Sequence, residues 1–129
     1  MRRTSTGPGR ALVAVYGVLA LSATARAVFQ VATKLAEAPL AYLLSLFAAA
    51  VYVVATVALA TSHRRLAWAA VLTELVGVLV VGTVSLVARQ DFPDATVWSV
   101  YGQGYGYVPL VLPFLGVAWL VRTGRSDPR

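Results

Sequence analysis

The chain has 129 residues, of which 59% are hydrophobic and 12% charged, and it contains no cysteine. Soluble domains average about 25% charged residues, and a single domain of this size could not bury so much apolar surface, which favours a bilayer as solvent over a very apolar soluble bundle. The net charge is +6, and the basic residues lie at predicted helix ends rather than in a nucleic-acid-binding patch. Because there is no cysteine, disulfides, thiolate metal ligands and cysteine nucleophiles are excluded.

Four apolar stretches separated by three connections dominate the chain. Each approaches the length of about 20 residues that crosses a bilayer as a helix. This pattern predicts an all-α polytopic membrane protein, a bundle of four transmembrane helices. The predicted spans cover about residues 11–33, 38–60, 66–88 and 100–121, between a polar tail at 1–10 and a second tail at 122–129.

The first stretch also imitates a signal peptide. The basic residues of "MRR" precede an apolar run, and two A-x-A motifs that fit a cleavage site lie between residues 23 and 27. The apolar pattern continues through Phe29 and Val31, beyond both motifs. An uncleaved first helix is therefore the preferred interpretation, and a cleaved leader is the alternative.

The fourth stretch follows a loop rich in glycine and aromatic residues. Its "GQGYGYVP" lacks the spacing of a dinucleotide-binding turn and the T-V-G-Y-G order of a potassium filter. A helix from Gly106 to Val121 would be only about 24 Å long, so the helix starts earlier or the glycines form an irregular entry buried by the bundle. The aromatic residues predict interfacial belts, with Trp98, Tyr101, Tyr105 and Tyr107 outside and Trp68 and Trp119 inside.

The basic residues predict the orientation of the bundle. In an even-numbered bundle both tails and the second connection share one side, and the side richer in basic residues is cytoplasmic. Eight basic residues lie on that side and three on the other, so both termini are expected in the cytoplasm. The eight are Arg2, Arg3, Arg10, Arg64, Arg65, Arg122, Arg125 and Arg129, and the three are Arg26, Lys34 and Arg89.

Three stretches of this alanine-, valine- and arginine-rich chain, "ATARAVFQ", "EAPLAYLLS" and "VYGQGYGYVPLVLP", carry a family resemblance. They resemble small four-helix integral membrane proteins of high-GC actinobacteria. The resemblance covers most of the chain and implies the four-helix fold. That family has no assigned activity, so the resemblance implies no mechanism.

Glu74 is an acid in the middle of the third span. It lies eight residues after Leu66, about 12 Å into a core about 30 Å thick. Because an acid at this depth costs about 2.5–3.5 kcal/mol, we expect Glu74 to face the bundle and to be protonated unless it is paired. It is either a proton or cation site or a carboxyl that hydrogen-bonds a neighbouring helix.

Depth in the membrane suggests partners for Glu74. Tyr52 and Pro113 each lie eight residues from the inner end of their span, near the level of Glu74, and Thr56 lies one turn below Tyr52. Pro113 removes the helical hydrogen bond to the carbonyl of Pro109 and leaves an acceptor there. We therefore expect the carboxyl to bond with the Tyr52 hydroxyl or the Pro109 carbonyl.

Arg26 is a second charge within a predicted span, about 22 Å from the inner start of the first helix. It can extend outward to the interface, or point inward and pair with Glu74 across about 10 Å of depth. Glu37, Asp91 and Asp94 lie on its own side of the membrane and are easier partners.

His63 is the only histidine, and its place in "SHRR" predicts a position at a helix end. With one histidine and no cysteine, no metal or cofactor site and no set of nucleophile, base and orienting residue can be assembled. We therefore expect neither enzyme activity nor a cofactor.

Small residues at Ala23/Ala27, Ser45/Ala49, Gly77 and Gly82 offer close helix contacts.

Two functional classes stay open. The preferred class is a structural or binding protein of the cell membrane, such as a small subunit of a complex. Its partners would be the lipid bilayer and a second copy of the chain or another membrane protein, and not nucleic acid. The alternative is a small proton-coupled transporter with Glu74 as its proton or cation site. The two differ in whether Glu74 faces a wet cavity or a dry helix contact.

Overall fold

The computed structural model describes residues 7–88 and 98–126, apart from the side chains of residues 8, 104, 105 and 124–126. The predicted partners Asp91 and Asp94 and the belt side chain of Tyr105 lie outside the described residues. Within the described ranges the chain is helical and contains no strand. The α-helices are α1 (Gly7–Lys34), α2 (Pro39–Ala60), α3 (Arg64–Val87) and α4 (Val108–Ser126), and short 3₁₀ helices cover Leu35–Glu37 and Ser99–Tyr105.

The first three helices, α1 to α3, are long and apolar enough to span a membrane. The fourth helix, α4, has a shorter apolar stretch, Val108–Thr123. The predicted all-helical fold is thus confirmed over the described ranges, and three of the four predicted spans have the length and composition that a span needs.

Helix α1 begins at Gly7, four residues before the predicted start of the first span. Gly7 has a positive φ of 47°, which glycine adopts readily because it has no Cβ atom. The helix then runs unbroken to Lys34, through both A-x-A motifs. Whether the first helix is retained stays a prediction.

Helix α4 begins at Val108, later than the predicted start near residue 100. The residues before it are not α-helical, because Val100, Tyr101 and Gly102 have positive φ angles of 49°, 61° and 89°. Positive φ is incompatible with a right-handed helix, and for a β-branched valine it is unusual in any setting. Of the two predicted alternatives, the irregular entry is the one observed, and it is buried at Trp98, Ser99 and Gly102 but exposed at Gly106.

The four helices form a ring in chain order. α1 packs extensively on α2, α2 on α3 and α3 on α4, whereas α4 touches α1 only lightly. Small side chains let the backbones approach closely at these contacts. The buried small residues include the predicted Ala23, Ala27, Ser45 and Ala49 together with Ala20, Ala41, Ala48, Ala55, Ala58, Ala67 and Ala70.

A tight turn joins α2 to α3 and ends at His63. The imidazole Nδ1 of His63 accepts a hydrogen bond of 3.3 Å from the backbone N–H of Leu66. This contact satisfies one of the N–H groups that the first turn of α3 leaves without an intrahelical partner. The predicted position of His63 at a helix end is confirmed.

Residues 98–107, hereafter the 98–107 segment, return into the bundle and pack on α3 and α4. The backbone N–H of Val100 donates to the hydroxyl of Ser85 at 2.9 Å and helps to hold the left-handed turn. Trp98 is only 1% exposed. Its predicted place in the outer aromatic belt is therefore wrong, because its ring is a core side chain. Of the other described belt residues, Tyr107 is exposed, Tyr101 and Trp68 are half-buried and Trp119 is buried.

Candidate functional site

Glu74 lies on the inner face of α3, ten residues or about 15 Å after the start of this helix at Arg64. It is fully buried, with no exposed surface. Its Oε1 accepts a hydrogen bond of 2.6 Å from the hydroxyl of Tyr16 in α1. The predicted orientation of this acid toward the bundle is therefore the one found, and the contact joins the first helix to the third.

Tyr16 was missed by the sequence analysis. It lies nine residues after Gly7, about 14 Å along α1 and so near the depth of Glu74. The predicted start of the first span at residue 11 placed Tyr16 about 6 Å nearer the inner surface and hid the match. Counting depth from the start of α1 at Gly7 would have found it.

Helix α4 covers the Tyr16–Glu74 pair at Gly116. A Cβ atom built at Gly116 would lie 3.0 Å from the Tyr16 hydroxyl and 3.1 Å from a methyl group of Val71. Any larger residue would push α4 away from the pair or displace the phenol. The absent side chain of Gly116 is therefore what lets α4 close over the hydrogen bond.

Tyr52 of α2 lies beside this pair but belongs to a second hydrogen bond. The indole Nε1–H of Trp98 donates to the Tyr52 hydroxyl at 2.7 Å. The Tyr52 ring is tilted against the rings of Tyr16 and Trp98, with centroids 6.3 and 6.2 Å away. All four helices and the 98–107 segment thus contribute to one buried layer around Glu74.

The partner predicted for the carboxyl needs correction. Within the described residues the second oxygen of Glu74, Oε2, has no hydrogen-bond partner, and Oε1 bonds with Tyr16 rather than with Tyr52 or the Pro109 carbonyl. Depth gave the right layer for Tyr52, but depth does not say which way a side chain points around the helix axis.

The other predicted site residues make no hydrogen bond with the Glu74 carboxyl among the described contacts. Thr56 donates its hydroxyl to the Tyr52 carbonyl of its own helix at 2.7 Å. Pro113 is buried inside α4. Arg26 is exposed on α1, whereas Glu74 is fully enclosed. The proposed inward ion pair of Arg26 with Glu74 is therefore absent, and the outward alternative agrees with the exposed position.

A second polar contact ties the inner ends of α3 and α4 together. Nη2 of Arg64 donates to the carbonyl of Leu120 at 2.6 Å, and its guanidinium lies 5.9 Å from the centre of the Trp68 ring. Leu120 lies six residues before the end of α4, so this bond from the first residue of α3 fixes the two helices to each other near the inner end of the bundle. In the sequence Arg64 is indistinguishable from a topological charge, so this role was not predicted.

The chemistry open to the site is narrow. A neutral Glu74 that accepts from Tyr16 through Oε1 leaves the O–H on Oε2 without an acceptor among the described residues, which costs about 1–3 kcal/mol. An ionised Glu74 without a cation costs more, so the neutral acid is favoured. The described residues contain no group of three His, Asp or Glu side chains that could hold a metal ion.

Two grooves on the surface of the described bundle do not include the carboxyl in their lining. One groove of about 550 Å³ lies between α1 and α4, and another of about 480 Å³ lies between α2 and α3 beside Trp98. Both are lined by apolar side chains almost throughout, and Glu74 lines neither.

Comparison with known proteins found no relative of this chain. No protein-family model, no curated protein and no solved structure matches this chain. The resemblance to small actinobacterial four-helix membrane proteins accordingly stays a prediction, and the chemistry of the site has to be argued from its own residues.

Proposed function

We propose that the chain is a multi-pass protein of the cell membrane whose four helices all cross the bilayer, with both termini in the cytoplasm. Large apolar side chains on the outer faces support this proposal, among them Leu21 and Val87, which are 74% and 80% exposed. Such surfaces favour lipid over water as their surroundings. The orientation is supported by the count of basic residues on the two sides.

The short fourth helix is compatible with four spans. The apolar stretch of α4 is about 24 Å long at 1.5 Å per residue, less than a core of about 30 Å. The 98–107 segment, which begins with two buried residues, precedes it, and we infer that this segment supplies the missing length. Irregular backbone is tolerated at membrane depth where protein buries it, and Trp98 and Ser99 are both buried.

Within that membrane protein, Glu74 acts as a structural polar contact, and the chain serves as a structural or binding protein, such as a subunit of a membrane complex. The observation that carries this proposal is the closed layer around the carboxyl. Tyr16 holds one oxygen, α4 covers the pair at Gly116, and Glu74 has no exposed surface. A transport site must be reached by its ligand, and this arrangement favours the dry contact.

One observation favours the second candidate, a proton-coupled transporter. Oε2 of Glu74 is buried without a hydrogen-bond partner among the described residues. Acids within membrane spans often mark proton pathways. The transporter would need a second conformation in which α4 or the 98–107 segment moves away and exposes this oxygen.

Single cysteines test the topology, since the natural chain has none. Ala36 and Thr61 are exposed and lie in the first and second connections, on opposite sides of the proposed bundle. In intact cells an impermeant thiol reagent should label Ala36→Cys, whereas Thr61→Cys should react only after permeabilisation. The reverse pattern would invert the orientation, and equal labelling of both variants in intact cells would overturn the proposed spans.

A matched pair of cysteines separates the two functional candidates. Glu74→Cys replaces the buried acid, and Val76→Cys places a thiol on the outer face of the same helix at nearly the same depth, where the valine is 60% exposed. For a structural contact, neither thiol should react with a charged methanethiosulfonate reagent in the membrane. Reaction at residue 74 alone would show a water-filled path. Loss of proton flux in proteoliposomes on Glu74→Gln would then establish the transporter.

A further inference from the structure

The 98–107 segment docks on two glycines of α3. It follows α3 and precedes α4 in the chain, at the ends of these helices that the proposed orientation places on the outer side. A Cβ atom at Gly77 would lie 2.5 Å from the Trp98 ring, and one at Gly82 would overlap the Tyr101 ring. The sequence predicts close contacts between helices at both glycines, but each glycine instead receives an aromatic ring of this segment.

The Trp98 ring reaches deep into the bundle. Gly77 lies three residues beyond Glu74 toward the outer end of α3, a rise of about 4.5 Å, whereas Gly82 lies eight residues beyond it, about 12 Å. Residues three apart share one face of a helix. The indole therefore packs on the face of α3 that carries the carboxyl, about one helical turn farther out, and the Tyr101 ring packs beyond the indole.

Trp98 contacts both α2 and α3 just outside the layer around Glu74. Its ring is 1% exposed, and its Nε1–H donates to the Tyr52 hydroxyl at 2.7 Å. The Tyr52 ring in turn packs on the ring of Tyr16, which binds the carboxyl. The only polar atom of the indole side chain is thus satisfied, and the rest of the ring offers water no hydrogen bond.

The segment keeps its position through tertiary contacts rather than through the preference of its own backbone. Val100 and Tyr101 have φ angles of 49° and 61°, in the left-handed region that non-glycine residues rarely adopt. Such conformations persist only where the surroundings hold them. Here the Ser85 hydroxyl accepts from the N–H of Val100, and the hydroxyls of Thr83 and Tyr101 bond with each other, both at 2.9 Å.

The interior of the bundle is more polar on the outer side of Glu74 than on its inner side. Among the described residues, four buried polar side chains lie outward of this acid and one, Thr123 of α4, lies inward. The four are Gln30, Ser45, Ser85 and Ser99. Water on its way to the carboxyl would therefore find more hydrogen-bond partners on the outer side, and the Trp98 ring lies at a depth between those partners and Glu74.

We propose that Trp98 is a seal that separates the Glu74 carboxyl from the aqueous phase on the outer side of the membrane. This inference rests on the proposed membrane insertion and dry contact, and it adds which side chain keeps the contact dry. Without the indole, the Tyr52 hydroxyl would lose its donor, and Oε2 of Glu74 has no partner among the described residues. A space beside such polar groups takes up water, whereas an apolar cavity stays dry.

Hydrogen–deuterium exchange at the Glu74 carboxyl, followed by infrared spectroscopy of the full chain in lipid vesicles, tests the seal. Glu74→Gln assigns the C=O band, which should shift slowly in wild-type protein placed in D₂O. Trp98→Ala should speed this shift at least about tenfold, because the space that it leaves is hydrated. Tyr52→Phe keeps the aromatic ring and removes the acceptor, and it should speed the shift about threefold, as for the loss of one interhelical hydrogen bond.

Phe47→Ala is the matched control for Trp98→Ala. It removes an aromatic ring that packs on Trp98 but is itself 51% exposed on α2, and it should leave the exchange rate unchanged. Circular dichroism checks the folding of each variant. Because Tyr52→Phe preserves the shape of the core, an exchange rate equal to that of wild type in this variant would overturn the seal even if Trp98→Ala did not fold.

Cysteines test the side from which water enters. In intact cells, an impermeant charged methanethiosulfonate reagent should modify Glu74→Cys combined with Trp98→Ala, but not Glu74→Cys combined with Phe47→Ala. Slow exchange in Trp98→Ala, equal acceleration in Phe47→Ala, or modification only after permeabilisation would overturn the seal and leave the dry contact standing. Fast exchange in wild-type protein would contradict the dry contact itself, and the seal with it.

Discussion

Two regions of the bundle are packed by different means. One is the contact of α2 and α3 with the 98–107 segment, and the other is the seam between α1 and α4. Where α2, α3 and the 98–107 segment meet, the indole of Trp98 donates to Tyr52 and lies against Gly77, and the Phe47 ring packs on it at a centroid distance of 6.1 Å and an interplanar angle of 71°. At the α1/α4 seam, valine and leucine side chains leave a groove. Apolar side chains gain little by leaving lipid for protein, because lipid tails are equally apolar. Close packing in this molecule therefore occurs where a hydrogen bond or the fit of a large side chain against a glycine holds the helices together.

The largest effect is expected at Gly77, in the closely packed region. A Cβ atom at this position would lie 2.5 Å from the Trp98 ring, so Gly77→Ala forces the indole or α3 to move. We expect a loss of about 1–3 kcal/mol of unfolding free energy, as for other overpacked cores. Denaturant titration in detergent, followed by tryptophan fluorescence and circular dichroism, measures it.

Gly17→Ala is the matched control for Gly77→Ala. A Cβ atom at Gly17 would meet only a methyl group of Thr56, at an ordinary distance of 3.8 Å. Alanine is the better helix former by about 1 kcal/mol, so Gly17→Ala should be neutral or stabilising. Equal stability of the two variants would show that Trp98 does not pack on Gly77 as described.

An intermediate effect is expected at the bond that joins the two regions, between Tyr16 and Glu74. A double-mutant cycle of Tyr16→Phe and Glu74→Gln should give a coupling energy of about 0.6 kcal/mol, and at most about 1.7, as for other interhelical bonds in membranes. Glu74→Gln alone should nearly preserve the fold, because the amide oxygen still accepts from Tyr16. Glu74→Leu should cost about 1–2 kcal/mol.

Infrared spectroscopy checks the charge state of that bond. If Glu74 is protonated at pH 7, wild-type protein shows a carboxyl C=O band that Glu74→Gln lacks, and Tyr16→Phe shifts the band because it removes the donor to Oε1. A carboxylate band at pH 7 would contradict the neutral acid. It would require a positive partner near the carboxyl, which the described residues do not place there.

The smallest effect is expected at the seam. Ala118 lines the open groove, so Ala118→Leu should change the free energy of unfolding by no more than about 0.5 kcal/mol, as for surface positions. Ala55→Leu makes the same change inside the bundle, where the alanine is fully buried, and should cost about 1–3 kcal/mol. A similar cost at both positions would mean that the seam is as tightly packed as the interior.

Periodicity and composition were sufficient to predict the helices and the inward orientation of Glu74, since both follow from the cost of polar groups in an apolar setting. Tyr16 escaped because its depth depends on where α1 starts, and four residues of error move a side chain by about 6 Å. Helix boundaries depend on local capping and not on the apolar pattern that reveals the helix.

The burial of Trp98 and the carbonyl contact of Arg64 were not predicted for a different reason. An aromatic residue in a glycine-rich connection has the same sequence signature whether it lies at the membrane surface or inserts between helices. A basic residue beside a span fits a topological charge as well as a ligand for a carbonyl of another helix. Which of the two it becomes depends on tertiary packing, which one sequence without its fold does not contain.

The place of Gly116 has a consequence for how the chain assembles. Ribosomes make α1, α2 and α3 before α4, so Tyr16 and Glu74 can meet while the side that Gly116 will cover is still open. Their hydrogen bond spans 58 residues of sequence, and none of those residues belongs to α4. Until α4 is made, the pair lacks the cover of this helix, and the packing of Gly116 on Tyr16 completes its burial.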